Sequence, residues 1–178
     1  VEKYLKFIKN SSVSITYSAS DSLSGMASES SASIVIDTSK VGEYRVYISA
    51  TDNAGNITIE EVPYKVIYQF TGFLQPINSD GSSVFKAGST IPVKFRLTDS
   101  NLAWVDSAIA SLTIQRKSSS VQNGINEFYY STSVTSSDTF RYSMEEALYI
   151  LNFSTKGMEY GLYRLFGTVE DGEKCSIV

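Results

Sequence analysis

The chain has 178 residues, of which 42% are hydrophobic and 19% charged, and its formal net charge is −4. It contains no histidine and one cysteine, which excludes a histidine-dependent catalytic triad, a histidine-ligated metal and an internal disulfide. The acidic balance, with no basic run longer than Arg116-Lys117, argues against a nucleic-acid partner. No apolar run reaches the length of a transmembrane helix, so we expect no membrane insertion within this segment, which looks like a fragment of a longer protein.

The polar residues are dominated by hydroxyl groups, with 30 Ser, 13 Thr and 12 Tyr, a composition typical of β-proteins. Six segments alternate apolar and polar residues with a period of two, namely residues 13–19, 44–50, 91–97, 112–114, 149–153 and 163–169. Each pattern places one face of a strand in a core. Residues 143–148 have helix-capping spacing, and we interpret them as a loop followed by a strand. The sequence therefore predicts an all-β protein.

One sequence pattern occurs twice, as GEYRVY at 42–47 and as GLYRLF at 161–166. In each copy an aspartate follows the glycine after ten residues and opens a turn, at Asp52 and Asp171. A tyrosine that enters a strand after a glycine corner, with a tight hairpin at the far end, is the layout of the tyrosine corner in immunoglobulin-like sandwiches. We therefore predict two tandem immunoglobulin-like β-sandwiches with Tyr44 and Tyr163 as structural tyrosine corners, each ring in the core and each hydroxyl on backbone.

The two copies divide the chain into a domain of residues 1–68 and a second domain of residues 69–178. The junction is apolar and aromatic rather than a flexible linker, and we expect Phe70, Phe73 and Leu74 to pack near the domain contact. Pro63 cannot donate to a β-ladder, which predicts that its strand lies at a sheet edge or is bulged there.

The second domain carries an insertion around residues 118–138 that is rich in Ser, Thr and Tyr. We expect it to form a hairpin with a mobile tip at Asn123-Gly124, because Asn-Gly is a preferred two-residue hairpin turn.

Two families are suggested by longer stretches of sequence. The first domain, with ASDSLSGM at 19–26, IDTSKVGEY at 36–44 and ATDNAGN at 50–56, resembles the immunoglobulin-like, HYR-like repeats of secreted prokaryotic proteins. The second, with YQFTGFLQPI at 68–77 and VFKAGSTIPVKFRL at 84–97, resembles the PxKF module, named for the residues here at Pro92 to Phe95. The insertion follows that pattern poorly, and Ala27 and Ser28 stand where many relatives of the first repeat carry a cysteine.

The resemblance implies a non-catalytic structural or adhesion module, a spacer or stalk, of a larger extracellular or cell-envelope protein. It implies no catalytic residue and no cofactor. The expected partners are neighbouring domains of the same polypeptide and a cell-surface protein or polysaccharide. The alternative is a carbohydrate-binding accessory module attached to a secreted hydrolase, and an enzyme is the weakest hypothesis.

Acidic and amide residues cluster at three positions, around Asp21, at Asp37 and at Asp52 with Asn53 and Asn56. Hard oxygen ligands on sandwich loops can bind calcium, but the spacing matches no EF-hand. Asp and Asn side chains at turns more often form hydrogen bonds with the nearby backbone. We therefore favour turn formation at these positions, and calcium binding remains an open alternative.

Exposed aromatic rings would be the basis of a sugar-binding surface, and the candidates are Trp104, Phe128, Tyr129, Tyr130 and Tyr142. Because aromatics at alternating positions are usually core residues, we favour burial for them. Three N-glycosylation sequons begin at Asn10, Asn56 and Asn152.

Overall fold

The computed structural model describes residues 4–27, 31–122, 125–130, 134–172 and 174–177; side chains are described for these residues except 118–122, 125–130, 134–138 and 174–177. Every regular element in this part of the chain is a β-strand, which confirms the all-β prediction. The strands are β1 (Leu5–Ile8), β2 (Val13–Ser18), β3 (Ser31–Ile36), β4 (Gly42–Thr51), β5 (Ile57–Ile67), β6 (Gln69–Leu74), β7 (Thr90–Thr98), β8 (Ala110–Gln122), β9 (Ile125–Tyr130), β10 (Val134–Thr139), β11 (Arg141–Ser143), β12 (Leu148–Ser154), β13 (Tyr163–Val169) and β14 (Lys174–Ile177). Within the described residues no helix is long and apolar enough to cross a membrane.

The chain divides into two compact units. Unit 1 comprises Val1–Gln69 together with the short segment Asp99–Leu102. Unit 2 comprises Phe70–Thr98 and Ala103–Val178.

Unit 1 contains a three-stranded sheet in the order β1-β5-β4 and a two-stranded sheet of β2 and β3. Strands β4 and β5 form a long antiparallel hairpin, whereas β1 runs parallel to β5, with Leu5 opposite Tyr64 and Ile8 opposite Ile67. Pro63 lies just before this parallel stretch, on the part of β5 that is paired only with β4 among the described residues. A residue without an N–H is tolerated there because no described strand pairs with the second edge of β5 at that point.

The core of unit 1 is small. Ile36, Tyr64 and Val66 are buried, and a ring of half-buried apolar side chains packs around them: Phe7, Ile15, Val41, Tyr44 and Val46. Except for Val41, which precedes β4, these residues come from the strands of both sheets of the unit. The alternating burial along β2 and β4 follows from the two-residue period of a strand, which turns every second side chain toward the core.

The segment Asp99–Leu102 is tied into unit 1 by polar contacts. The Asn10 side-chain amide donates a 2.7 Å hydrogen bond to the Asp99 carboxylate, and the Ser100 N–H donates to the Lys9 carbonyl at 2.9 Å. Asp99 is only 6% exposed, so the carboxylate depends on such donors. Asn10 has a φ of 63°, a left-handed conformation that asparagine tolerates better than most residues.

Unit 2 contains a four-stranded sheet in the order β11-β12-β7-β6 and a five-stranded sheet in the order β10-β8-β13-β14, in which β9 also pairs with β8. Within the insertion, β8 and β9 form an antiparallel hairpin from Lys117 opposite Tyr130 to Gln122 opposite Ile125. The expected tip, Asn123-Gly124, lies outside the described residues. Residues 144–147 form a turn between β11 and β12, which confirms the prediction of a loop followed by a strand.

An aromatic cluster around Phe95 forms the core of unit 2. Phe95 has no exposed surface, and its ring stacks on Tyr149 at 5.1 Å and meets Phe140 edge-on at 4.8 Å. Phe70 and Phe73, expected at a domain contact, lie 5.6 and 6.1 Å from Phe95 within unit 2. Their strand β6 begins two residues after β5 ends, so the junction supplies core residues to unit 2.

Candidate functional site

Tyr44 makes the backbone contacts of a tyrosine corner. Its hydroxyl donates to the carbonyls of Lys40 at 3.1 Å and Val41 at 3.3 Å, and its half-buried ring stacks on Tyr64 at 5.3 Å. Gly42, where β4 begins, has a φ of +144°, and a Cβ there would lie 3.3 Å from the Tyr44 hydroxyl. The glycine thus supplies both the backbone conformation and the space that the hydroxyl occupies.

Tyr163 repeats the hydroxyl contact, with a 2.8 Å hydrogen bond to the carbonyl of Glu159. The preceding glycine has a different role in this copy. A Cβ on Gly161 would lie 3.1 Å from Nε of Arg116, and that guanidinium donates to the Tyr160 carbonyl at 3.1 Å and pairs with Glu159. The second glycine therefore lies close to an arginine side chain and does not have a positive φ.

The aspartates proposed as turn formers accept hydrogen bonds from residues a short distance along the chain. Asp21 accepts from the Leu23 N–H at 2.6 Å and from the Ser24 hydroxyl at 2.9 Å. Asp37 accepts from the Ser39 N–H at 2.9 Å, and this bond holds the pKa of Asp37 below its usual value. Both arrangements are Asx-type turns, in which the carboxylate replaces a backbone acceptor.

The turn at Asp52 follows the same principle. Its carboxylate accepts from the side-chain amide of Asn56 at 2.6 Å and from the Asn56 N–H at 2.8 Å, and these bonds lower the pKa of Asp52. Asn53 instead donates its side-chain amide to the Ser24 carbonyl at 2.8 Å, which joins this turn to the loop after β2. Among the described residues, no three acidic or cysteine side chains are arranged to hold a metal ion.

Of the candidate sugar-binding aromatics, Trp104 and Tyr142 have described side chains, and these two rings lie in different surroundings. Trp104 is 54% exposed, and the guanidinium of Arg96 lies 5.3 Å from its ring centroid. Tyr142 is half-buried and packs edge-on against Tyr149 at 5.1 Å. Tyr149 pairs across the sheet with the buried Phe95, whereas Arg96 is the next residue of β7 and projects from the opposite face.

Trp104 therefore contacts Arg96 on the outer face of this sheet, whereas Tyr142 packs against Tyr149 on its core face. Phe128, Tyr129 and Tyr130 belong to β9, but their side chains lie outside the described part of the structure.

The three sequons differ in how their amides are used. The Asn10 amide is bonded to Asp99 at 2.7 Å, and the Asn56 amide is bonded to Asp52 at 2.6 Å. Asn152 is exposed on β12, opposite Pro92 of β7.

Sequence reasoning missed a basic surface on the four-stranded sheet. Lys94 and Arg96 alternate along β7 with the buried Val93 and Phe95, so both cations project from the outer face. Arg141 joins them through the register of β11 and β12. The alternation of PVKFR at 92–96 was a usable signal for the first two cations, but nothing in the linear sequence placed Arg141 beside them.

The buried hydroxyl of Tyr149 was also not anticipated. It accepts a 2.9 Å hydrogen bond from the Ala108 N–H, and burial raises the pKa of Tyr149 to about 12. Burial also raises the pKa of Tyr64, whereas hydrogen bonds lower the pKa values of Asp37 and Asp52. Each of these pKa values is shifted away from neutral pH, where a general acid or base works best.

A scan of protein-family models matched no family, and searches of curated proteins and of solved structures likewise found no match to this chain.

Proposed function

We propose that this chain is a non-catalytic mechanical module, a spacer or adhesion segment of a larger extracellular or cell-envelope protein. Its units are tandem immunoglobulin-like β-sandwiches, the first HYR-like and the second of the PxKF type. Its constant partners are neighbouring domains of the same polypeptide, and it holds a functional region at a distance from the surface while resisting extension.

The parallel pairing of β1 with β5 carries this proposal. Force on unit 1 enters through the N-terminal end of β1 and leaves through the C-terminal end of β5. Because the two strands run in the same direction, these forces slide one strand past the other. The hydrogen bonds between them are then loaded together in shear, and several bonds must break at once for the unit to extend.

Unit 2 has a different terminal geometry. Its last strand, β14, pairs antiparallel with β13, from Thr168 opposite Lys174 to Leu165 opposite Ile177. We infer that a force on the C-terminus loads the pair at Ile177 first and opens this terminal strand pair one bond at a time. Unit 2 should therefore yield at a lower force than unit 1.

The tyrosine corners support the immunoglobulin-like assignment. In both units a tyrosine at the start of a strand donates its hydroxyl to the carbonyl four residues earlier, as in the sandwiches where this feature is known. The accessory-module alternative keeps one supporting observation, the exposed ring of Trp104.

Single-molecule pulling through the two termini, with the chain inserted between reference domains, tests the proposal. We expect two unfolding events, which release roughly 230–250 Å of extended chain for residues 1–69 and about 360–390 Å for residues 70–178. The shorter release should occur at the higher force. A chain that extends without resolved peaks would contradict a mechanical role.

A further inference from the structure

The outer face of the four-stranded sheet in unit 2 gathers three cations. Lys94 and Arg96 lie two residues apart on β7, a separation of about 6.6–6.8 Å along a strand. Arg141 on β11 lies opposite Ile150 on β12, and Ile150 lies opposite Lys94. Two strand spacings of about 4.8 Å each therefore separate Arg141 from Lys94. We call the surface formed by these three residues the basic face.

The charge of the basic face is poorly neutralised. Among the described side chains, Lys94 alone of the three meets a carboxylate, that of Glu146 at 3.3 Å. Arg96 donates to the backbone carbonyls of Ala147 at 3.2 Å and Glu146 at 3.1 Å, which orient the guanidinium without cancelling its charge. Arg141 is exposed and has no carboxylate partner among the described side chains. In a chain of net charge −4, this local excess of positive charge favours an anionic ligand.

An aromatic ring lies at the border of the basic face and is held in place. Trp104 bridges to Thr98 in the backbone, and the next residue, Val105, donates its N–H to the Leu97 carbonyl at 3.0 Å. Arg96 lies 5.3 Å from the indole centroid, so the ring is fixed by a cation–π contact as well as by backbone. With 54% of its surface exposed, the fixed ring can stack on a ligand at little cost in conformational entropy.

We propose that Trp104 and the basic face bind a polysaccharide that contains uronate sugars. The apolar face of a pyranose ring stacks on an exposed indole. A uronate carries its carboxylate directly on that ring, so a polymer anchored on the free face of Trp104 presents an anion at every sugar, and successive sugars extend over the basic face. Planar guanidinium groups match carboxylates in geometry and charge. The inference is independent of the mechanical role, since a spacer can function with or without this site.

Titration calorimetry with polygalacturonate tests the site, and its fully methyl-esterified form is the matched ligand because it keeps the rings and removes the charge. We expect saturable binding of the charged polymer that weakens as salt is added, and binding of the ester that is at least about tenfold weaker. Trp104→Ala and Arg141→Gln should each weaken polygalacturonate binding about fivefold to tenfold. Thermal unfolding of each variant checks that the fold is retained.

Two control variants separate this site from general attraction between charges. Lys86→Gln removes an exposed cation elsewhere in unit 2, and Tyr160→Ala removes a ring that is 87% exposed, so neither should change the affinity. The proposal is overturned if polygalacturonate does not bind, if the ester binds equally well, or if the control variants weaken binding as much as Trp104→Ala. Tighter binding of dextran sulfate, which is anionic but contains no uronate, or of a single-stranded oligonucleotide through the same residues would also overturn the assignment to uronates.

Discussion

The hydroxyl of Tyr163 donates a 2.8 Å hydrogen bond to the carbonyl of Glu159, four residues earlier in the chain. Tyr44 makes the equivalent bond to Lys40 at 3.1 Å. Both acceptor carbonyls lie near solvent, so water can partly replace a lost hydroxyl. The bond therefore holds the chain at the entry to a strand more than it satisfies a buried group.

Tyr44→Phe and Tyr163→Phe should each lower the free energy of unfolding by about 0.5–1.5 kcal/mol, the net value of one intramolecular hydrogen bond. Denaturant unfolding measures the loss. Tyr47→Phe and Tyr160→Phe are the matched controls, because these rings are 62% and 87% exposed. Equal losses in the corner and control variants would show that the corner bonds add nothing to stability.

Phe95→Ala should destabilise unit 2 by about 3–5 kcal/mol, because it removes a fully buried ring and leaves a cavity among four aromatic neighbours. Phe85→Ala is the control, since that ring is 37% exposed. Guanidinium unfolding followed by Trp104 fluorescence reports on unit 2. A loss below about 1 kcal/mol for Phe95→Ala would contradict a core centred on this ring.

Asn10 provides a test of how Asp99–Leu102 is held in unit 1. Asn10→Gly tolerates the φ of 63° and removes the bond to Asp99, which should cost about 1.5–3 kcal/mol because the acceptor is a buried carboxylate, while the flexible glycine adds a smaller entropic cost. Asn10→Ala adds the strain of a left-handed alanine, about 1 kcal/mol more. Chemical denaturation of the two variants measures both quantities, and equal stability of the glycine variant and the wild type would exclude a stabilising Asn10–Asp99 bond.

Tyr149 should make stability fall in alkaline solution. In the unfolded chain its hydroxyl titrates near the ordinary tyrosine pKa of 10.0, but in the folded protein its pKa is about 12. Between these values the folded state holds the proton and the unfolded state has lost it, so the free energy of unfolding decreases as the pH rises from about 10 to about 12. Below about pH 10 the ionisation of this tyrosine does not change the free energy of unfolding with pH.

Tyr149→Phe should flatten this alkaline decline while lowering stability at neutral pH by about 1–3 kcal/mol, because the buried Ala108 N–H loses its acceptor. Urea unfolding between pH 7 and 12 measures both effects. An identical slope in the wild type and the Tyr149→Phe variant would contradict the raised pKa of Tyr149.

The strands with clear alternation were predictable from sequence, because a two-residue period is a local property. Residues 44–50 and 91–97 fall within β4 and β7, with their apolar positions more buried than their neighbours. Strand β3 was not identified, since three of its six residues are serine or alanine and its polar positions resemble a loop. The segment Asp99–Leu102 belongs to unit 1, although it lies 30 residues beyond the expected boundary between residues 68 and 69. No local pattern in the sequence indicated this.

The candidate site was predictable only in part, because its geometry depends on contacts between residues that are distant in sequence. The exposure of Trp104 depends on its bridge to Thr98, and the placement of Arg141 depends on strand register. Burial was favoured for both aromatic residues, and Tyr142 indeed packs against Tyr149 on the core face, whereas Trp104 remains 54% exposed. Such non-local contacts decide which aromatic residues remain accessible.

Two proline substitutions in β1 form a matched pair of variants for testing the contact between β1 and β5. The Lys9 N–H donates to the Ile67 carbonyl at 2.8 Å, so alternation along the strand directs the Leu5 N–H toward β5 and the Lys6 N–H away from it. Proline at either position imposes the same restriction on φ, but only Leu5→Pro removes a donor to β5. The pair therefore separates the hydrogen bonds of the contact from the general effect of a proline.

Pulling the Leu5→Pro and Lys6→Pro variants through their termini is the most direct test of the mechanical role. We predict that the unfolding force of unit 1 falls in Leu5→Pro and stays close to the wild-type value in Lys6→Pro, while unit 2 unfolds at the same force in all three proteins. Equal forces for unit 1 in the wild type and the Leu5→Pro variant would contradict the central claim that the parallel β1–β5 pair resists extension.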